Sequence, residues 1–457
     1  MRYRADLSLV RHPRVLLGGS PLRLFRLTDA GGRLIDRALA GDDIRSNPLT
    51  ERLIDAGALH PVPDGAAALR PSDVTIVIPA YGSAVVVPDH GGPVFVVDDA
   101  SPSPVVTSTT DATLIRRATN GGPGAARMSG LAEVTTPFVA FVDADVELAG
   151  GWLEPLLAHF VDPKVALVAP RVMSIPGRSR LARYETLRSP LDLGDFPARI
   201  AARTRVSYVP AAVMVARTDV LRTVGGFDPL LRTGEDVDLV WRLVTAGHRV
   251  RYEPGSTVAH QPRSTLAGWL RQRVGYGRSA APLACRHPGA LAPVGVSGWS
   301  AAAWVAGAIG HPVLGVALAA GSAVALPRKL PDLARRDALQ LAAHGHVGAG
   351  RQLAAALTRV WWPIALLSRR SRRWLALALV VPGAIDWWRQ RRRVDLDPVS
   401  YLVLRGLDDA SYGLGVWLGV VNEREPAPLL PDLSNWPPRH RSSRKRRRVN
   451  GQGAPSA

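Results

Sequence analysis

Four apolar runs constrain this chain more than any other feature: VTIVIPAYG from Val74, VFVVDD from Val94, PFVAFVDAD from Pro137 and KVALVAP from Lys164. Strands that are apolar on both faces are buried on both faces, and the polar or helical stretches between them imply an α/β domain with a largely parallel sheet. Ligands of such sheets sit beyond the carboxyl ends of the strands, which is where this sequence places its acids. The expected catalytic domain covers residues 74–265.

Asp98 and Asp99 end the second run, where a carboxylate can accept the imide hydrogen of a pyrimidine or hold a ribose; acids there are also common turn formers. The loop ATNGGPGAARMSGL follows, its glycines permitting close backbone approach and its Arg127 supplying a fixed charge near a diphosphate or a base. It lacks the GK[ST] of a Walker loop. The run FVAFVDADVEL carries Asp143 and Asp145. A period of two puts both on one side of an extended chain, so they can converge on one divalent cation and the sugar nucleotide it carries. Burying two such charges without a cation is costly, which implies Mg²⁺ or Mn²⁺; the bland alternative is two acids capping the next helix.

Downstream, GED opens an amphipathic helix with Val237, Leu239, Val240 and Leu243 on its inner face. The helix dipole alone favours acids at that end, yet a helix start facing a metal-bearing crevice also suits a general base. Asp236 is the expected base, with Glu235 beside it as the second catalytic candidate and Asp238 on the acceptor side. His260 ends VRYEPGSTVAH, placed for a further metal or phosphate contact, although a lone histidine is more often structural.

Residues 1–63 form a module of their own. Strand-like pieces at VLL and LRLFRL precede a helix capped by Thr28 that buries Leu34, Ile35, Ala38 and Leu39; a second helix starts at Thr50 and stops at Gly57, and ALHPVP returns as a strand. This order fits a winged helix. The second helix, LTERLIDAG, has one arginine against two acids, a poor groove reader, so peptide or protein docking is expected and nucleic acid is not. Residues 64–73 read as a linker.

From residue 266 the composition shifts to Ala, Gly, Leu and Trp, and no charged residue lies between Arg286 and Arg328. That stretch has room for one span of about 20 residues, or for two short arms hinged near His311 and Pro312. The piece WLALALVVPGAIDWW has arginine runs on both sides, which favours a hairpin or an interfacial helix over a simple crossing; buried helices of a soluble domain are the alternative. Residues 266–435 are therefore expected to be helical and membrane-associated, and residues 436–457 to form a basic disordered tail. The formal charge of +19 is almost all arginine, with lysine only at Lys164, Lys329 and Lys445, and part of it sits in these runs. One cysteine, Cys285, excludes an internal disulfide, and the N-terminus has no signal-peptide stretch; the expected location is the cytoplasmic face of the cell membrane.

Taken in order, VTIVIPAYG, VVDDAS, NGGPGAAR, FVDADVEL, GGFDPLLRTGEDVDLVWR and VAH resemble glycosyltransferase family 2. The resemblance implies a GT-A fold, inversion at the anomeric carbon, nucleotide contacts from Asp98 or Asp99 and from Arg127, metal at Asp145 and a base at Asp236. QRVGYGRS, with Gln272, Arg273 and Tyr276, is loosely similar to the acceptor-side motif of processive members, which have tryptophan where Tyr276 stands. The whole layout is similar to family members that join such a domain to a peptide-binding winged helix. This implies UDP-glucose as donor, a peptide-derived redox cofactor precursor as acceptor, and a β-1,4-glucan as one product; a cell-envelope polysaccharide or lipid acceptor is the alternative. Two departures stand out: the stretch from Tyr81 to Phe95 is too short for the family's helix, and Met128 follows Arg127 where asparagine is frequent.

Three rival classes fit less well. A nucleotidyltransferase would place a basic glycine-rich signature where PAYGSA stands, a dead scaffold would not keep Asp143, Asp145 and Asp236, and a polysaccharide synthase would need more and longer apolar segments.

Overall fold

The computed structural model describes residues 1–63, 69–82 and 84–433. The expected linker lies partly, and the basic tail wholly, outside them. The chain divides into two units, Met1–Ala292 with Ala354–Leu429, and Pro293–Leu353 with the residues from Leu430 on.

The first unit is built on a nine-stranded sheet. Strand Val74–Ala80 lies parallel to Val94–Asp98 on one side and to Phe138–Val142 on the other, and Thr113–Arg116 extends the parallel part beyond Val94–Asp98. The sheet is more mixed than expected. Val213–Arg217 runs antiparallel to both Phe138–Val142 and Val165–Ser174, and Val165–Ser174 then pairs parallel with Arg249–His260. The period of two explains the continuous apolar runs: Val74, Ile76 and Ile78 face one core, with Trp152, Leu156 and Phe160, while Val77 faces the other, with Ala126, Leu131 and Leu239. No helix occurs among the described residues between Tyr81 and Phe95, where only an isolated bridge from Val85 to Thr107 forms.

The N-terminal residues belong to this unit. Val10–Arg11, Val15–Gly18 and Arg23–Arg26 form a three-stranded antiparallel sheet, and Arg2–Ala5 pairs with Leu59–Val62, so four strands precede the helices where two were expected. Thr28 Oγ1 caps helix Asp29–Leu39 by accepting from Gly31 N, but Leu39 ends the helix on its solvent side. The second helix, Pro48–Asp55, begins earlier than its sequence suggested. Asn47 is the N-cap and Pro48 the first helical residue, which makes Thr50 the partner in a capping box.

The second helix turns its acids toward the catalytic sheet. Arg249 donates to Glu51 at 2.8 Å, to Asp55 at 2.7 Å and to Asp162 at 2.7 Å, and Lys164 lies 2.9 Å from Glu51. Burial alone would raise the Glu51 carboxyl, but hydrogen bonds from Ser46, Lys164 and Arg249 bring it down to about 2.

Helices Leu266–Arg278, Ala280–Arg286 and Pro398–Glu423 also belong to the first unit. In the second unit the long uncharged stretch forms two helices, Gly298–Ala308 and Pro312–Lys329, which pack on each other and meet at His311. Of the two alternatives for that stretch, the two arms form and the single span does not: no helix among the described residues is long and apolar enough to cross a membrane.

Candidate active site

A cavity of about 1030 Å³ opens at the carboxyl ends of the parallel strands. Its floor is set by two backbone devices. Asp143 N donates to Ala212 O at 2.9 Å, and the chain then turns sharply, with Val146 N donating back to Asp143 O at 3.1 Å. The two aspartates thus sit on a turn rather than an extended strand, and their side chains part. Asp143 Oδ1 accepts from Arg127 Nη2 at 2.6 Å, whereas Asp145 Oδ1 lies 3.4 Å from His260 Nε2. Pairing of Val146–Leu148 with Arg249–His260 sets Val146 opposite His260, and Gln261 N donates to Asp145 O. Burial would raise the Asp145 carboxyl, but His260 and then Arg263 hold it below the usual carboxylate range.

Arg127 projects from helix Pro123–Glu133 and is buried. Besides Asp143 it reaches Glu235 Oε1 at 2.9 Å, and its guanidinium lies over the Phe227 ring. Gly234 makes the opening of the next helix, Glu235–Thr245, possible: its φ of +80° is a left-handed conformation, and a Cβ there would come within 2.8 Å of Ser279 Cβ. At that helix start Asp236 accepts from Ala211 N at 3.1 Å and from Val237 N at 2.8 Å. Burial raises the Asp236 carboxyl against those two donors and Arg127. Burial and then the neighbouring Asp236 also push Glu235 up to about 7, although Arg127 opposes it.

The structure brings Asp99, Arg127, Asp143, Asp145, Glu235, Asp236, His260 and Gln272 to this one cavity. Asp99 accepts from Gly121 N at 3.0 Å and Gly122 N at 2.7 Å and so holds the glycine-rich loop against the strand end. Three expected residues lie away from the lining. Asp98 is fully buried and takes the turn-forming role, accepting from Ser101 N and from Arg116. Asp238, on the inner side of its helix, pairs with Arg242 at 2.7 Å and His287 at 2.9 Å. Arg273 is locked between Glu185 and Asp408, and it donates to Gln272 Oε1, steadying the residue that does face the cavity.

Sequence reasoning missed the opposite wall. Tyr208, Arg359 and Tyr412 join Tyr276 there, with Arg359 4.3 Å over the Tyr412 ring and 3.5 Å from Asp409. Tyr208 donates to Pro190 O, and its burial beside Asp236 and Tyr412 pushes the phenol up to about 12. Arg359 and Tyr412 come from helices far along the chain from every motif, so no local pattern marks them. The described residues contain no group of three or more His, Cys, Asp or Glu side chains able to hold a metal. One carboxylate and one imidazole, Asp145 and His260, could hold a divalent cation only with further ligands from substrate oxygens and water.

Residues 93–224 match the family described as glycosyl transferase family 2. Pre-mycofactocin glycosyltransferase of Mycobacterium tuberculosis is 45% identical over 444 residues, covering 92% of this chain and 94% of that protein. Polypeptide N-acetylgalactosaminyltransferase 15 of Mus musculus is 31% identical over 169 residues, 33% of this chain and 26% of that one. Among solved structures, the mannosyltransferase PcManGT from Pyrobaculum calidifontis in complex with GDP-Man and Mn²⁺ aligns with a TM-score of 0.41 at 17% identity, covering 79% of this chain and 90% of that one. With a relative matched along nearly all of its length and the family's domain covering Asp99, Arg127, Asp143 and Asp145 of the cavity, the chain belongs to glycosyl transferase family 2 and is a glycosyltransferase.

Proposed function

We propose that this enzyme moves glucose from UDP-glucose onto a pre-mycofactocin-type acceptor, with inversion and with Mg²⁺ or Mn²⁺ at Asp145 and His260. The acceptor rests on the 45% identity to a protein bearing the pre-mycofactocin name over nearly the full chain, and the donor on the resemblance carried by the sequence motifs. The observation that carries the chemistry is one cavity holding both the Asp145 and His260 pair and the Asp236 carboxyl, raised by burial.

A divalent ion bound there would neutralise the diphosphate and make it a better leaving group. The protein's own residues do the rest. Asp236 takes the proton of the acceptor hydroxyl while that oxygen forms its bond to the anomeric carbon. The bond from that carbon to the diphosphate oxygen breaks on the opposite side, and the electron pair leaves with UDP. Arg127 ties Asp143 and Glu235 together beside the reacting centre, so Glu235 acts as a positioning residue. Asp99 and the glycine loop it holds flank the nucleotide, and Gln272, Tyr276, Tyr412 and Arg359 face the acceptor. The N-terminal module, residues 1–63, offers a docking place for the peptide-derived part of the substrate.

The test is hydrolysis and transfer with a panel of UDP- and GDP-sugars, in Mg²⁺ or Mn²⁺ and then in EDTA, for wild type and Asp145→Ala with a pre-mycofactocin-type acceptor. Metal-dependent glucose transfer that Asp145→Ala abolishes is the expected result; folded wild type that turns over no UDP-sugar would overturn the reading.

A further inference from the structure

Helix Arg369–Gln390 packs through one face only. On that face a Cβ at Gly383 would come within 2.5 Å of Leu402 Cδ2, Asp386 accepts from Arg188 at 2.9 Å and Arg405 at 2.8 Å, and Trp387 donates to Leu396 O at 2.8 Å. The opposite face is apolar and in solvent. Leu377, Val381, Ile385 and Trp388 are 49%, 50%, 49% and 59% exposed, and their spacing of three and four residues makes them one stripe; Leu367, 81% exposed, precedes it. A patch of this kind on a soluble surface marks a place where something else binds.

The charges around the stripe define what that is. Exposed Arg369, Arg370, Arg372 and Arg373 stand at one end and exposed Arg392 and Arg393 at the other, and Arg391 lies 3.5 Å over the Trp388 ring. The only acid between residues 369 and 393 is Asp386, which is committed to the inner face. Arginines in a first helical turn oppose the helix dipole, so the helix's own electrostatics do not account for them. A second copy of the chain would set arginine clusters against arginine clusters. A nucleic acid would match the arginines and leave the aliphatic stripe between them without a role.

We propose that this face lies in the head-group layer of an anionic bilayer, with the helix parallel to the surface, its aliphatic stripe among the upper acyl chains, Trp374 and Trp388 at the interface and the arginines on lipid phosphates. Basic residues at both ends hold such a helix flat and bring the catalytic unit to the membrane. This surface is separate from the cavity and holds whatever the acceptor is.

The full-length protein is sedimented with vesicles of phosphatidylcholine alone and of phosphatidylcholine with phosphatidylglycerol in equal parts. Wild type is expected to bind the anionic vesicles about tenfold or more tightly than the neutral ones, since each basic residue near an anionic surface adds to binding. Leu377→Glu with Val381→Glu should weaken binding about tenfold or more. Arg372→Gln with Arg373→Gln should weaken binding to the anionic vesicles only, with unchanged melting and unchanged sugar transfer to a soluble acceptor; this variant carries the test if the glutamates impair folding. The basic C-terminal residues contribute equally to every variant. Wild type that binds neither vesicle overturns the proposal, as does glutamate-substituted protein that binds like wild type. Light scattering that shows a dimer dissolved by Leu377→Glu, with vesicle binding unaltered, assigns the face to a second copy instead.

Discussion

Asp145 Oδ1 and His260 Nε2 stand 3.4 Å apart because the turn from Asp143 to Val146 ends where Val146 and His260 become register partners across two antiparallel strands, with Gln261 N donating to Asp145 O.

Replacing His260 by Ala keeps those strands and removes one of the two side chains proposed to hold the cation. Mn²⁺ affinity, read by electron paramagnetic resonance in the presence of UDP, should fall about 10- to 100-fold, and transfer should partly recover at high Mn²⁺. Asp145→Asn should lose transfer at every metal concentration. Equal metal affinity in wild type and both variants would remove the pair from the metal site.

Asp236 gives a pH signature. Its carboxyl is raised above the usual range by burial, so it is protonated, and useless as a base, at pH values where an exposed aspartate is still ionised. The rate of transfer should fall as pH drops through that raised pKa, placing the acid limb above the usual carboxylate range. Asp236→Asn should lower the rate about 10²- to 10⁴-fold and remove that limb. A variant that keeps most of its activity would pass the base to another group.

Arg249 tests how the N-terminal module is held. It is buried and faces Glu51, Asp55 and Asp162, so Arg249→Met leaves three acids without their common cation. The three acids remain partly open to water, so the loss costs about 1–3 kcal/mol, measurable by urea unfolding. Glu51 has a folded pKa of about 2, below its ordinary 4.5, so its share of the stability is fully present above pH 4.5 and is lost as pH falls toward 2. The variant should keep only the part of this acid-sensitive component that Ser46 and Lys164 supply. An unchanged unfolding midpoint at neutral pH would show that the cluster contributes nothing.

The residues legible in the sequence were those whose place follows from one strand or one helix start. Asp145 ends a buried run, Arg127 follows the glycine loop, and Asp236 opens a helix behind a glycine that must adopt positive φ. What hid the rest is distant pairing. Nothing near Asp98, Asp238 or Arg273 in the sequence distinguishes them from cavity residues; their partners Arg116, His287 and Asp408 arrive from other elements and turn them inward. The parting of Asp143 from Asp145 depends on a four-residue turn that a period-two reading cannot see. Arg359 and Tyr412 reach the cavity only after the chain has left the first unit and returned to it.

That return is locked by glycines, which gives the last prediction. Helix Leu266–Arg278 carries Gln272 and Tyr276 into the cavity and helix Pro398–Glu423 carries Tyr412; the two touch backbone to backbone. A Cβ at Gly277 would overlap Tyr412 O and reach Val416 N at 2.8 Å, and one at Gly415 would overlap Val274 O. Gly277→Ala should therefore push the helices apart, lower stability by about 1–3 kcal/mol as overpacking does, and raise the acceptor KM more than that of the donor. Gly275, on the same helix, has open space where its Cβ would be, so Gly275→Ala should be neutral or add up to about 1 kcal/mol from helix propensity. The pair separates close packing from glycine content. If both variants melt together and share one acceptor KM, the glycine contact does not set the position of Tyr412, and the acceptor wall must be held by other contacts.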